Sequence, residues 1–410
     1  MTIGRSRPRI LVFAYACEPD KGSEPGAGWA WTRMLATFSD VVVITRSNNR
    51  VSIDHALATL PERQRLGFVY VDLPLWARRW KRGQRGVRLY YLLWQVAALR
   101  AARRVSDAEP FDLYWHVTFA NGWIGTLAAL AGRPFVYGPI GGGIAAPWQL
   151  LSSLGWRGCV YELFRSLARF SARHLNPVAR LGWARADLVL VQNPETLRWL
   201  PAGVRRRAVV FPNATLEAEA VSSPSPRDGR RAIYAGRLLP WKGLALALHA
   251  LAVTDDWTLT VCGDGFDQKR LSHLAGRLGV GDRVRFLGWH PRSEVLRCMR
   301  EEADLLLFPS LHEDAGFAII DALASGVPVV CLAIGGPPVL ARNAGTVVGA
   351  AGSVAEVVAR LAAALCGPLP DSAVVLDRAR ELTVEARSAC LVDLLAERRL
   401  IADESRWEAA

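Results

Sequence analysis

LLLFPSLHEDAGFAIIDALASGVPVVCL, residues 305–332, carries the reading on which the fold turns. LLLFPS (305–310) is a short, continuously apolar run, the pattern of a strand buried on both faces. HEDAG is polar and turn-like. FAIIDALASG is Ala-rich and predicts a helix closed by Gly326. PVVCL (328–332) is a second apolar run. Two such runs joined by a helix form a parallel βαβ unit, and in that unit Glu313 falls at the mouth of the first strand while Asp321 falls about one turn into the helix.

Working outward, the same alternation fills the chain. In the first half we expect strands at 10–16, 41–45, 68–73, 113–118, 134–139, 188–193 and 208–212. In the second half we expect them at 232–236, 258–263, 284–288, 305–310, 328–332 and 346–349. Two series of apolar strands separated by helices predict two doubly wound α/β domains facing across a cleft, with the ligand outside the carboxyl ends of the strands. The expected division is a first domain over 1–216, a linker over 217–231 (EAEAVSSPSPRDGRR) and a second domain over 232–380. One long amphipathic helix over 381–410 is expected to pack back across the domains.

Composition agrees with a globular chain of more than one domain: 410 residues, 51% hydrophobic, 35 Gly. No apolar run reaches the ~18–20 residues needed to span a bilayer. The N-terminus, MTIGRSRPRILVFAYA, reads as a buried first strand in preference to a secretory signal, because it runs into a Gly-rich loop without a small-residue cleavage site. Seven Cys in no CxxC pair read as free thiols of a reducing, cytoplasmic compartment. The net charge of +12 calls for an anionic partner.

At the expected strand ends the residues become chemical. In YAGRLLPWKG (234–243), Gly236 lets the chain turn, and Arg237 and Lys242 stand five apart. Two cations at one strand mouth suit a diphosphate, against the plain alternative of two solvated basic residues. Gly263, Asp264 and Gly265 form a turn into a helix, which suits an anion or is an ordinary tight turn. Asp321 suits a sugar hydroxyl pair or a helix dipole, and Glu313 a ligand or solvent. IGGGIAAP (140–147) either admits a ligand close to its backbone or is a flexible connector. His116 is a site residue or a hydrogen-bonded structural histidine.

Taken in order, Arg-x4-Lys-Gly, Gly-Asp-Gly, VRFLGWHPRSEVL, ADLLLFPS, the two acids and GVPVV resemble the family 4 glycosyltransferases of the GT-B fold, over nearly all of residues 231–350. The first half resembles them more weakly, through a glycine-rich loop and DLYWH. The resemblance implies a retaining transfer of a hexose-type sugar from a nucleotide-diphosphate donor to a glycan, lipid-linked or small-molecule acceptor. It places His116, Glu313, Arg237 and Lys242 at the reacting centre. Gly26 and Gly28 of GSEPGAGW (22–29) lie on the donor side, as do Gly236, Gly263, Asp264, Gly265, Gly316 and Phe317. His290 flanks the base within Phe286–His290, and Asp321 binds the ribose. No Asp-x-Asp is present, so neither a metal nor another cofactor is expected. Two departures stand out: Asp321 replaces the usual Glu, and the first loop carries extra residues, CEPDKGSEP.

Two stretches hold the surplus charge. Residues 76–104 contain nine Arg or Lys and no acid, and residues 156–185 contain six Arg and one Glu. Interleaved with Trp, Leu, Tyr and Phe, they read either as contacts with an anionic membrane on the cytoplasmic face or as core-packed helices with a solvated basic face. The rival functions are other nucleotide-sugar chemistry on the same fold, such as epimerisation, and nucleic-acid binding. The latter accounts for the charge but not the ordered cleft motifs, so no nucleic-acid partner is expected.

Overall fold

The structure, a computed structural model, describes residues 7–19, 21–74, 86–119, 121–222 and 229–402. The first sheet contains β1 (Arg9–Phe13), β2 (Asp40–Thr45), β3 (Leu66–Tyr70), β4 (Leu113–His116), β5 (Phe135–Ile140), β6 (Leu188–Val191) and β7 (Ala208–Val210), in the order β3-β2-β1-β4-β5-β6-β7. The second contains β8 (Arg231–Ala235), β9 (Thr258–Cys262), β10 (Val284–Gly288), β11 (Leu305–Phe308), β12 (Val329–Leu332) and β13 (Gly345–Val348), in the order β10-β9-β8-β11-β12-β13. Leu11 lies opposite Val42 and Tyr114, and Leu306 opposite Ile233 and Val329, all in parallel ladders. Both sheets therefore reverse their winding at one place, between β1 and β4 and between β8 and β11, and the crevice at such a point receives ligands.

Each strand of the first sheet feeds two cores because its side chains alternate. Leu11 and Phe13 pack with Tyr114 and Phe135 on one face, and Ile10 and Val12 pack with Trp31 and Trp115 on the other. Both faces are covered by helices, which is why the strands read as unbroken apolar runs.

The helix expected over 381–410 is shorter in the structure, Val384–Glu397, and a separate helix precedes it. The helix Ser372–Arg380 packs on the second domain, where Val375 and Ala379 join its core. The next helix, Val384–Glu397, is capped by the Thr383 hydroxyl, which accepts from Ala386 N. It crosses to the first domain, burying Val384, Leu391, Val392 and Leu395 beside Ile10 and Trp31. Burial of each of the two leucines contributes about 1.5–3 kcal/mol. The helix ends at Glu397 because Arg399 turns left-handed, at φ 56°. Part of the expected linker (223–228), the end of the expected last helix (403–410) and residues 76–85 of the first basic stretch lie outside the described residues.

Of that basic stretch, the helix Val87–Ala108 is described. It buries Tyr91, Trp94, Ala98 and Ala102 in the first domain and exposes Arg100, Arg103 and Arg104 together with Leu89, Leu92, Leu93 and Val96.

Candidate active site

The loops after β8 and β11 meet because one glycine allows it. Gly243 holds φ 77°, and a Cβ there would lie 1.8 Å from the Pro309 carbonyl oxygen. Leu311 N donates to Trp241 O at 2.9 Å across the same contact. The result is an ion pair between Lys242 Nζ and Glu313 Oε2, with both side chains about four-fifths buried. Tyr234, fully buried under the loop, directs its hydroxyl at the carbonyls of Arg237 and Lys242, each at 3.4 Å. Arg237 is exposed, and among the described residues its side chain has no ion-pair or hydrogen-bond partner. A free guanidinium and a paired ammonium thus flank one strand mouth.

Gly263 and Gly265 have a structural duty in addition to any ligand role. Their Cβ positions would lie 2.0 Å from Gly236 O and 2.2 Å from Leu238 O. Leu238 N donates to Asp264 O at 2.7 Å, and Gly263 N to Gly288 O at 2.7 Å. The Gly-Asp-Gly turn locks the Arg237 loop against the end of β10. The Asp264 side chain is exposed, and the half-buried His290 ring lies 3.5 Å from Gly288 O.

Gly316, at φ 112°, turns the chain into the helix Phe317–Ala324, where Phe317 is partly buried against the core. Asp321 is buried in that helix, but it is not a free acceptor. Arg292 grips it, Nη2 to Oδ1 at 2.6 Å and Nε to Oδ1 at 3.1 Å. Burial pushes the Asp321 carboxyl up, and the guanidinium opposes that shift. A ribose at this place would meet the pair and not a lone carboxylate.

The first domain differs from its sequence reading. GSEPGAGW is not a loop: the helix Ser23–Ala36 starts inside it. A Cβ on Gly26 would lie 1.8 Å from Lys21 O and one on Gly28 2.0 Å from Ala16 O, so both glycines let this helix sit against the preceding loop. His116 is enclosed. Its Nε2 lies 2.8 Å from Thr118 O and 2.9 Å from Tyr91 Oη, and its Nδ1 meets the Thr126 hydroxyl. The carbonyl contact makes Nε2 the protonated nitrogen of a neutral ring. Burial pulls its pKa down to about 4. The ring makes no hydrogen bond with Glu313, Arg237 or Lys242. Beside it, Phe119 adopts a left-handed φ of 53°, and its N–H reaches Glu24 Oε2 at 3.2 Å. Burial pushes Glu24 up to about 7; the Phe119 N–H lowers it, and Asp314 adds to the rise.

Several residues that the sequence did not single out join the two domains. Asp314 Oδ1 accepts from Gly142 N at 2.9 Å, and its carbonyl accepts from Asn193 Nδ2 at 2.8 Å. Gly335 N donates to Glu195 Oε2 at 3.2 Å. A Cβ on Gly141 would lie within 2.8 Å of three Asp314 carboxylate atoms, so in IGGGIAAP the first glycine makes room for the partner domain. Arg165 Nη1 donates to His312 Nδ1 at 3.0 Å, which leaves the ring neutral with its buried Nε2–H unpartnered. Burial and the cations Arg165, Lys242 and Arg169 hold the His312 pKa well below its usual value. The one signal available in the sequence was adjacency: His312 and Asp314 flank Glu313. Among the described residues, no group of three or more His, Cys, Asp or Glu is placed to hold a metal ion.

Comparison with known proteins places this geometry. Residues 217–381 match the family described as Glycosyl transferases group 1. Among its relatives, 2-deoxystreptamine glucosyltransferase of Streptomyces kanamyceticus is 27% identical over 298 residues, 68% of this chain and 74% of the relative. D-inositol 3-phosphate glycosyltransferase of Mycolicibacterium gilvum (strain PYR-GCK) is 36% identical over 115 residues, 27% of this chain and 26% of the relative. The chain spans 26%, 30% and 43% of three such inositol-phosphate relatives. In the solved structures, HepE of Anabaena in complex with UDP superposes with a TM-score of 0.59 at 18% identity, over 95% of this chain and 100% of that one. The apo lipopolysaccharide outer core galactosyltransferase WaaB superposes with a TM-score of 0.64 at 13% identity, over 95% and 99%. The fold is GT-B, two Rossmann-like domains about a cleft.

Proposed function

We propose that the protein is a retaining glycosyltransferase that moves a hexose-type sugar from a nucleotide diphosphate to a glycan, lipid-linked or small-molecule acceptor. The observation that carries this reading is the convergence of Lys242 and Glu313 at the ends of β8 and β11, beside the unpartnered Arg237. The bond between the anomeric carbon and the β-phosphate oxygen breaks, and its electron pair leaves with the diphosphate. Arg237 and Lys242 meet that developing charge, in a cleft whose two sides are already joined by Asp314. The acceptor oxygen bonds to the same face of the sugar, and its proton passes to the departing phosphate oxygen. Glu313 keeps Lys242 in place until the diphosphate takes over its charge. HepE has been solved with UDP and with UDP-glucose, which makes a uridine donor the first to try here. The seven free thiols fit action in the reducing cytoplasm, with no cofactor required.

A thermal-shift screen of nucleotide diphosphates and their sugars, followed by NMR of the product, tests the proposal. The expected result is selective stabilisation by one nucleotide sugar and a product of unchanged anomeric configuration. Stabilisation with epimerised sugar as product would replace transfer by epimerisation. No stabilisation by any nucleotide would sink the reading.

A further inference from the structure

The helix Gly155–His174 is built inside out. Toward the protein it presents Glu162, Arg165 and Arg169, and toward solvent Trp156, Val160, Leu163, Phe164, Leu167 and Phe170. These six recur at helical spacing and form one continuous face. Trp156 is 73% exposed, Leu163 71% and Phe164 67%. Trp148 and Leu175 are similarly exposed just before and just after the helix. A contiguous apolar face of this kind marks an interaction site.

Charge selects the partner. The only acid in residues 155–185 is Glu162, and it is turned inward. Arg157 and Arg180 are exposed, with the Arg157 guanidinium 5.3 Å from the Trp156 ring centroid. The face is therefore apolar and cationic without a counter-charge. A second copy would set arginine against arginine. Anionic headgroups over acyl chains satisfy both features at once. Among the described residues no helix is long and apolar enough to cross a membrane, so the helix would lie along the surface.

The inward face reaches the cleft. Glu162 Oε1 accepts from Ala146 N at 3.1 Å, Arg165 Nη2 donates to Ile144 O at 3.1 Å, and Arg169 donates to the same carbonyl. Arg165 also holds His312, the neighbour of Glu313. A cavity of about 250 Å³ separates Ala168, Ser171 and Ala172 of this helix from Asn121 and Trp123 of the first domain. Whatever fixes the helix fixes the loop 141–146 and the position of His312.

We infer that this helix seats the protein on an anionic membrane surface, and that seating it orders the cleft so that the enzyme works faster there than in solution. The second half of this inference rests on the proposed glycosyltransferase activity, and the first half does not. The test uses the full chain with phosphatidylcholine vesicles, with and without phosphatidylglycerol. The wild type is expected to sediment only with the phosphatidylglycerol vesicles, most strongly at low salt. The double variant Leu163→Glu, Leu167→Glu is expected to lose about tenfold or more of that binding at unchanged Tm, because neither side chain is packed in the fold. Hydrolysis of the donor found in the nucleotide screen is expected to rise about threefold or more with these vesicles in the wild type and not in the variant. Absence of sedimentation overturns the inference. So does a dimer in sedimentation velocity that the double variant turns into monomer, since the face would then be a self-interface. Binding without a change in rate overturns the coupling. If vesicles bind but no nucleotide sugar is ever hydrolysed, it is the proposed activity that has failed and not the membrane seat.

Discussion

After β8 and β11 the chain sets Arg237 in the open and Lys242 and Glu313 partly so, against each other. After β1 and β4 it sets His116 among the backbone and hydroxyl groups of its own domain, and Glu24 against the Phe119 N–H with Asp314 of the other domain close enough to act on its charge. The two halves share one winding and place their charges in opposite ways. Open cations act on whatever arrives, and their removal leaves the fold intact. Enclosed groups have given up solvation to hold a particular backbone shape, and their removal is felt first in that shape. The contrast separates a second half that presents charge at its strand mouths from a first half that encloses it.

The sharpest way to break this comparison is Arg237→Ala. Turnover is expected to fall by about two to three orders of magnitude while Tm stays within about 1 °C, since the side chain has no partner to lose. Wild-type turnover would remove Arg237 from the site. Gly243→Ala strikes the backbone that brings Lys242 to Glu313. It forces a left-handed residue and a Cβ onto the Pro309 carbonyl, so Tm is expected to fall by about 5–15 °C, with activity following. Asp321→Asn tests the Arg292 pair: nucleotide binding measured by calorimetry is expected to weaken about tenfold, and unchanged affinity would take the pair out of the nucleotide site.

The smallest expected effect concerns the enclosed half. Glu24 titrates near 7 when folded and near its ordinary value when unfolded, so the native state loses stability as pH rises between those two values. His116 has the opposite sign. Its folded pKa is held down to about 4, so the native state loses stability as pH falls from the ordinary histidine range toward 4. Glu24→Gln removes the first effect alone. Its Tm relative to wild type is expected to rise by a few degrees between about pH 5 and about pH 8, read by calorimetry at each pH. A flat difference would mean that Glu24 is solvated in the native state.

The sheets were legible because the central strands, buried on both faces, are unbroken apolar runs, and the half-exposed outer strands Leu66–Tyr70, Ala208–Val210, Val284–Gly288 and Gly345–Val348 keep enough apolar residues to be read beside them. Arg237, Lys242 and Glu313 were legible because a few residues after a strand is a place as well as a number. The start of the helix Ser23–Ala36 was not, because two glycines argue against a helix until it is seen that a larger residue would collide with Lys21 and Ala16. Asp314 and Asn193 could not be joined in advance, being 121 residues apart and in different domains. Nor could Arg292 and Asp321 be paired by spacing alone, 29 residues apart. The helix Gly155–His174 shows a further limit. Periodicity reveals that a helix has an apolar side but not whether that side faces in, and here it faces out.

The two strands of chain that pass between the domains are bound to each other. Leu216 N donates to Leu382 O at 2.9 Å and Val384 N to Leu216 O at 2.8 Å. Beyond that crossing, Arg387 lies 4.1 Å over the Phe211 ring and donates to Pro212 O. The paired crossing holds the linker and the last helix together at one place. It also sets an order of assembly. The helix that adds Val384, Leu391, Val392 and Leu395 to the core of Ile10 and Trp31 is translated only after the whole second sheet, so on the ribosome the first domain waits for the last part of its own core.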